Sequence, residues 1–122
     1  MNAAARYGVI QNETASRERL MVMLFEAALK HMRVGAGQLE AGSKIDGAKS
    51  AIKASEIVNY LQKTLDHAQA PKLCGDLHAV YTFVCTRLLR AAGSHSAEAL
   101  REAERIFAPV ADAFGEAVRR AA

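Results

Sequence analysis

Tryptophan is absent from the chain, and proline and cysteine occur twice each in 122 residues. So little proline leaves room for long uninterrupted helices. Two cysteines cannot make a disulfide scaffold. Cys74 and Cys85 are 11 positions apart, and on one helix that is about 16 Å. A disulfide needs Cα atoms within about 7 Å, so the pair cannot bridge within the chain, and free thiols fit a reducing compartment. Long apolar runs are missing too. The longest, Leu20 to Leu29, is broken by Glu26 and is about half the length a bilayer span requires. Met1 to Glu13 carries no pattern of a secretory signal. These absences predict a soluble cytoplasmic protein without membrane insertion. Charge of one sign is also scarce. The net charge is +3, and basic residues alternate with acidic ones, as in Arg17-Glu18-Arg19 and Arg101-Glu102; only Arg119-Arg120 stands apart. A nucleic-acid footprint needs a one-sided basic stripe, so no nucleic-acid partner is expected.

What remains is a helix-forming composition. Hydrophobic residues make up 51%, which argues against disorder, and Ala, Leu, Glu, Lys and Arg dominate. The length suits one domain over residues 1–122 with a core of its own.

Residues 1–15 show no steady period and carry Tyr7, Val9 and Ile10; they read as an arm rather than a packed helix. Ser16 is a credible N-cap for a first helix running to about Ala41. That helix shows two apolar stripes, one through Leu20, Leu24, Ala27, His31 and Val34, the other through Met21, Phe25, Ala28, Met32 and Leu39. Gly35 and Gly37 suggest a close approach or a bend, and Gly42 a stop. Ser43 to Asp46 resembles a capping box opening a second helix to about His67, with Ala51, Ile52, Ala54, Val58, Leu61 and Leu65 on its apolar face. Pro71 suits the first turn of a third helix to about Ala92, with Leu73, Leu77, Val80, Val84 and Leu88 at helical spacing. Gly93-Ser94-His95-Ser96 reads as a stop and a cap before a fourth helix carrying Leu100, Ala103, Phe107, Val110, Phe114 and Val118. Pro109 falls inside it and predicts a kink or break near Ile106 to Ala108. Short links favour antiparallel neighbours. The expected fold is an all-α, antiparallel up-down four-helix bundle with an extended or short-helical N-terminal arm.

Reactive chemistry finds no foothold in this pattern. Di-metal bundles use Glu-x-x-His pairs, and none occurs; His31, His67, His78 and His95 lie in four separate places. His31 on an apolar stripe reads as a hydrogen-bonded core histidine, and Cys85, between Val84 and Thr86, as a small buried hydrophobe. Gly35-Ala36-Gly37 follows a helix rather than a strand, so it is no phosphate loop. No catalytic residue, metal or cofactor is expected, and the protein is not read as an enzyme. The apolar stripes, however, are wider than self-packing needs, and surplus apolar surface marks a partner site or a dimer interface.

At this point the residues resemble the FliS family of flagellin-specific export chaperones. Thr14-Ala15-Ser16-Arg17-Glu18-Arg19-Leu20 is similar to the family's Thr-Ala-Ser-Pro-Glu-Lys-Leu, and Met23-Leu24-Phe25-Glu26-Ala27-Ala28 to its Met-Leu-Tyr-Asp-Gly-Ala. Lys53-Ala54-Ser55-Glu56-Ile57, Thr64-Leu65-Asp66 and the run from Leu77 to Val84 follow in the family's order. Arg17, Ala27 and Ser55 depart from it, and Phe114 stands where a tryptophan is common. The resemblance implies a bundle that binds the disordered C-terminal segment of flagellin in an apolar groove. It implies that this prevents premature polymerisation, aids flagellar type III secretion and brings contact with export apparatus components. It also implies an arm, with Tyr7 and Ile10, that occupies part of the groove until flagellin displaces it. Ile57, Leu61, Leu65, Leu77, Tyr81 and Val84 are then the groove candidates, and the chaperone is a monomer or weak dimer. Leu61→Asp is expected to lose flagellin binding while the helices survive. The alternative reading is a helical homodimeric structural or adaptor protein that does not bind flagellin.

Overall fold

A computed structural model describes the backbone of residues 3–121 and the side chains of residues 16–121. Among the described residues the chain forms four helices and no strand: α1 (Ala3–Glu40), α2 (Lys44–Lys63), α3 (Pro71–Ser94) and α4 (Ala97–Ala121). The helices form a closed ring, with α1 against α2 and α4, and α3 against the same two. Side-chain pairs show each neighbour running antiparallel. Gln38 faces Ser50 across α1 and α2, Ser55 and Asn59 face Cys85 across α2 and α3, and Arg87 pairs with Glu102 across α3 and α4. Glu40 meets Arg101, Arg33 meets Glu104, and Phe25 meets Phe107 and Phe114, so α1 and α4 also run opposite ways. This is the expected up-down bundle.

Burial separates the two stripes of α1. Phe25, Ala28, Met32 and Leu39 enter the core, whereas Leu20 and Val34 are 50% and 44% exposed. The core is completed by Val58 and Leu61 from α2, Val84 and Leu88 from α3, and Leu100 and Phe107 from α4, all nearly or wholly buried. Each such side chain contributes about 1.5–3 kcal/mol relative to exposure. Small residues set how closely the helices approach. A Cβ on Gly35 would stand 2.9 Å from Ser50 Cβ and 3.0 Å from Leu100 Cδ1, while one on Gly37 would meet nothing within 4 Å. The close approach foreseen for this stretch belongs to Gly35 alone.

Helix ends differ from expectation in instructive places. α1 passes through Ser16, so Ser16 is not a cap; the side chains of Tyr7, Val9 and Ile10 lie outside the described residues. Gly42 is the stop, at φ +86, with Ser43 N donating to Gln38 O and Gly42 N to Leu39 O, the paired bonds of a Schellman ending. Ser43 does precede α2, but its hydroxyl makes no capping bond; its carbonyl accepts from Gly47 N instead. α2 ends at Lys63, earlier than expected. Asp66 takes the backbone N–H groups of Ala68 and Gln69 onto its carboxylate and turns the chain, which competes with further helix. α3 opens at Pro71 and runs through Gly93; its stop is His95 in the left-handed region at φ 54. Ser96 then caps α4, accepting from Ala99 N. α4 does not break at Pro109. It runs unbroken to Ala121, because only one ladder bond is lost while Phe107, Ala111 and Gly115 on its inner face stay buried.

Candidate functional site

Among the described residues, the most apolar recess lies between the first half of α3 and the second half of α4. It encloses about 400 Å³ and is lined by Leu73, Leu77 and Tyr81 from α3, Pro109, Val110, Ala113 and Phe114 from α4, and Phe25 from α1. Aromatic rings pack behind it. Phe25 stands 5.5 Å from Phe107 and 4.9 Å from Phe114, and Tyr81 lies 6.1 Å from Phe107. These offset contacts make a stiff base, since rings interdigitate and have few rotamers. Leu73 stands at the rim, 59% exposed. The only polar side-chain atom among the lining residues is the Tyr81 hydroxyl. Burial pushes its pKa up to about 12, helped by the nearby Cys74 thiol, so it is a neutral donor at any physiological pH.

The groove candidates divide three ways. Leu77 and Tyr81 line this cleft. Ile57 on α2 and Leu65 just past its end are half-buried against the core, and Leu65 also borders a second, more polar recess at the α2–α3 turn. Leu61 and Val84 are 1% and 0% exposed and belong to the core. They cannot meet a partner at the surface of this bundle, so Leu61→Asp becomes a change that unfolds the protein rather than one that spares its helices. Tyr7 and Ile10 lie outside the described side chains. The cleft residues missed from the sequence are Phe25, Leu73, Pro109, Val110, Ala113 and Phe114. Five of these six come from α1 or α4, and only the pairing of helices brings them to α3.

The polar recess is lined by Asn59, Gln62, Lys63, Leu65, His67 and His78. Gln62 Nε2 lies 2.9 Å from His78 Nδ1 and donates to Thr82 Oγ1, which pins α2 to α3. Among the described residues no three His, Cys, Asp or Glu side chains gather as a metal site would require. His31 is not in the core; it is half-buried beside Lys53 and Lys30, and burial, followed by those cations, lowers its pKa. Cys85 is buried as expected, and burial raises its thiol pKa away from reactivity. Among the described residues no helix is long and apolar enough to cross a membrane. The cleft offers shape and apolar area.

Against known proteins, the model of the flagellar protein FliS matches residues 1–121. The chain belongs to the FliS family. Two relatives carry the description flagellar secretion chaperone FliS. The one from Escherichia coli K12 is 28% identical over 106 residues, covering 86% of this chain and 78% of its own. The one from Salmonella typhimurium LT2 is 28% identical over 102 residues, covering 83% and 76%.

Proposed function

We propose that this protein is a non-enzymatic flagellar secretion chaperone that binds the disordered C-terminal segment of flagellin, with the α3–α4 cleft as a principal seat. The observation that carries the reading is the cleft itself: an open apolar furrow with an aromatic base, in a member of a family whose relatives are named as secretion chaperones. An unfolded amphipathic segment can lay its apolar face into such a furrow as it becomes helical. Ordering the segment costs about 2–5 kcal/mol, offset by burying roughly 1,000–3,000 Å². The cleft alone is too small for that area. The exposed Leu20, Met23, Ile52 and Tyr60 offer further apolar surface outside it. Binding in the cytoplasm would keep the segment from polymerising and present the subunit to the export apparatus. Tyr7 and Ile10 keep, within this reading, the role of an arm that covers the groove until flagellin arrives.

The test places bulk in the cleft. Ala113 is exposed, so Ala113→Arg should fold normally. In titration calorimetry with the C-terminal segment of the flagellin from the same genome, it should bind at least about tenfold more weakly, the equivalent of about 1.4 kcal/mol. Unchanged affinity would remove the cleft from the function. Sedimentation of the wild-type complex should give one chaperone per segment; a self-paired dimer that ignores the segment would favour the structural alternative.

A further inference from the structure

The cleft contains one group that apolar docking does not use. Seven of its eight lining side chains end in carbon, and the eighth is Tyr81. The Tyr81 side chain is 97% withdrawn from solvent, being 3% exposed, and its ring is fixed against Phe107. A hydroxyl removed from water costs free energy unless it is hydrogen-bonded. Among the described residues none lies within hydrogen-bonding reach of it, yet none of their side-chain oxygens is sealed from solvent without a partner. The hydroxyl therefore keeps some contact with solvent, on a residue that lines the cleft.

We propose that Tyr81 is the polar anchor of the cleft, donating its hydroxyl hydrogen to an uncharged acceptor, an Asn, Gln, Ser or Thr side chain, on the otherwise apolar face of the bound flagellin segment. The inference rests on the proposed function and adds a rule of selection to it. Apolar walls accept almost any greasy helix, whereas a fixed donor does not. A segment with carbon at that position seals the hydroxyl away from water unpaired, and is rejected for that reason. The acceptor is uncharged because no cation lines the cleft, and a carboxylate would be desolvated there without a counter-charge. The phenol serves as donor because burial keeps it protonated.

Tyr81→Phe removes the oxygen and keeps the ring. Since the hydroxyl has no partner among the described residues, the variant should melt no lower than the wild type. Its affinity for the flagellin C-terminal segment should fall by about fivefold to tenfold. Each Asn, Gln, Ser and Thr of the segment is then replaced by Ala and titrated against both chaperones. One position should weaken wild-type binding and leave Tyr81→Phe binding unchanged, the signature of a coupled pair. Wild-type affinity for Tyr81→Phe, or a loss with no coupled position in the segment, would overturn the anchor. So would a clear drop in melting temperature, which would give the hydroxyl a partner inside the chaperone. Ala113→Arg separates the two levels. If it leaves binding intact, the cleft reading fails; if it abolishes binding while Tyr81→Phe is silent, the cleft stands and only the anchor is lost.

Discussion

Two glycines two residues apart on α1 show how the same residue serves opposite ends. Gly35 is buried where α1 meets both α2 and α4, and any Cβ there would press on Ser50 and on Leu100. Ser50 is held by its bond to Gln38, and Leu100 is fully buried, so neither can retreat freely. Gly35→Ala should therefore destabilise by about 1–3 kcal/mol, the usual cost of overpacking. Gly37 faces open space with an ordinary helical backbone. There the missing Cβ contributes only chain entropy, and Gly37→Ala should stabilise by about 1 kcal/mol. Thermal denaturation of the two variants should move in opposite directions. A shared sign would mean that α1 does not pack as described. The sequence marked both glycines for a close approach or a bend but could not tell them apart, because the difference lies in Ser50 and Leu100, far along the chain.

At the scale of the helices, α4 carries the most telling departure from local rules. Pro109 cannot donate to the ladder, and the sequence pointed to a kink or break there. The helix continues because the residues beyond the proline are fastened from outside it: Ala111 and Gly115 are buried, and Phe114 stacks near Phe25. Tertiary packing outweighs the local penalty, as it commonly does for propensity. Helices α2 to α4 were legible in outline because apolar residues recur at threes and fours over long stretches. Their ends were less so, since Ser43 looks like a cap yet makes no cap bond, and Asp66 ends α2 through a side-chain bond that spacing does not reveal. Pro109 also stands on the wall of the cleft. Pro109→Ala should restore one backbone bond and relieve the clash with the preceding turn, raising stability by up to about 3 kcal/mol. If the cleft seats the flagellin segment as proposed, the change should also weaken binding, as the ring that walls the cleft shrinks to a methyl. A more stable protein with undiminished binding would show that the proline does not shape the cleft, and a less stable one would show that it suits the backbone of α4.

The whole bundle decides which apolar residues are core and which are free, and this is where the sequence is silent. A stripe at helical spacing names one face of a helix, but Leu61 and Val84 lie against other helices while Leu77 borders the cleft. The floor and far wall of that cleft come from α1 and α4, so no reading of α2 and α3 alone could assemble it. Exposure by itself does not mark function either. Leu73 and Leu89 sit on the same helix and are 59% and 60% exposed, a matched pair in residue type and accessibility. Only Leu73 lines the cleft. Replacing either with Glu puts a charge on an exposed helical position at little cost to folding. If the cleft is the seat of the segment, Leu73→Glu must desolvate that charge on binding and should weaken affinity by tenfold or more, a loss that titration reads directly. Leu89→Glu should change it by far less. Equal losses would spread binding over the whole exposed face of α3, and a loss at Leu89 alone would move the seat from the α3–α4 furrow to the outer surface of α3.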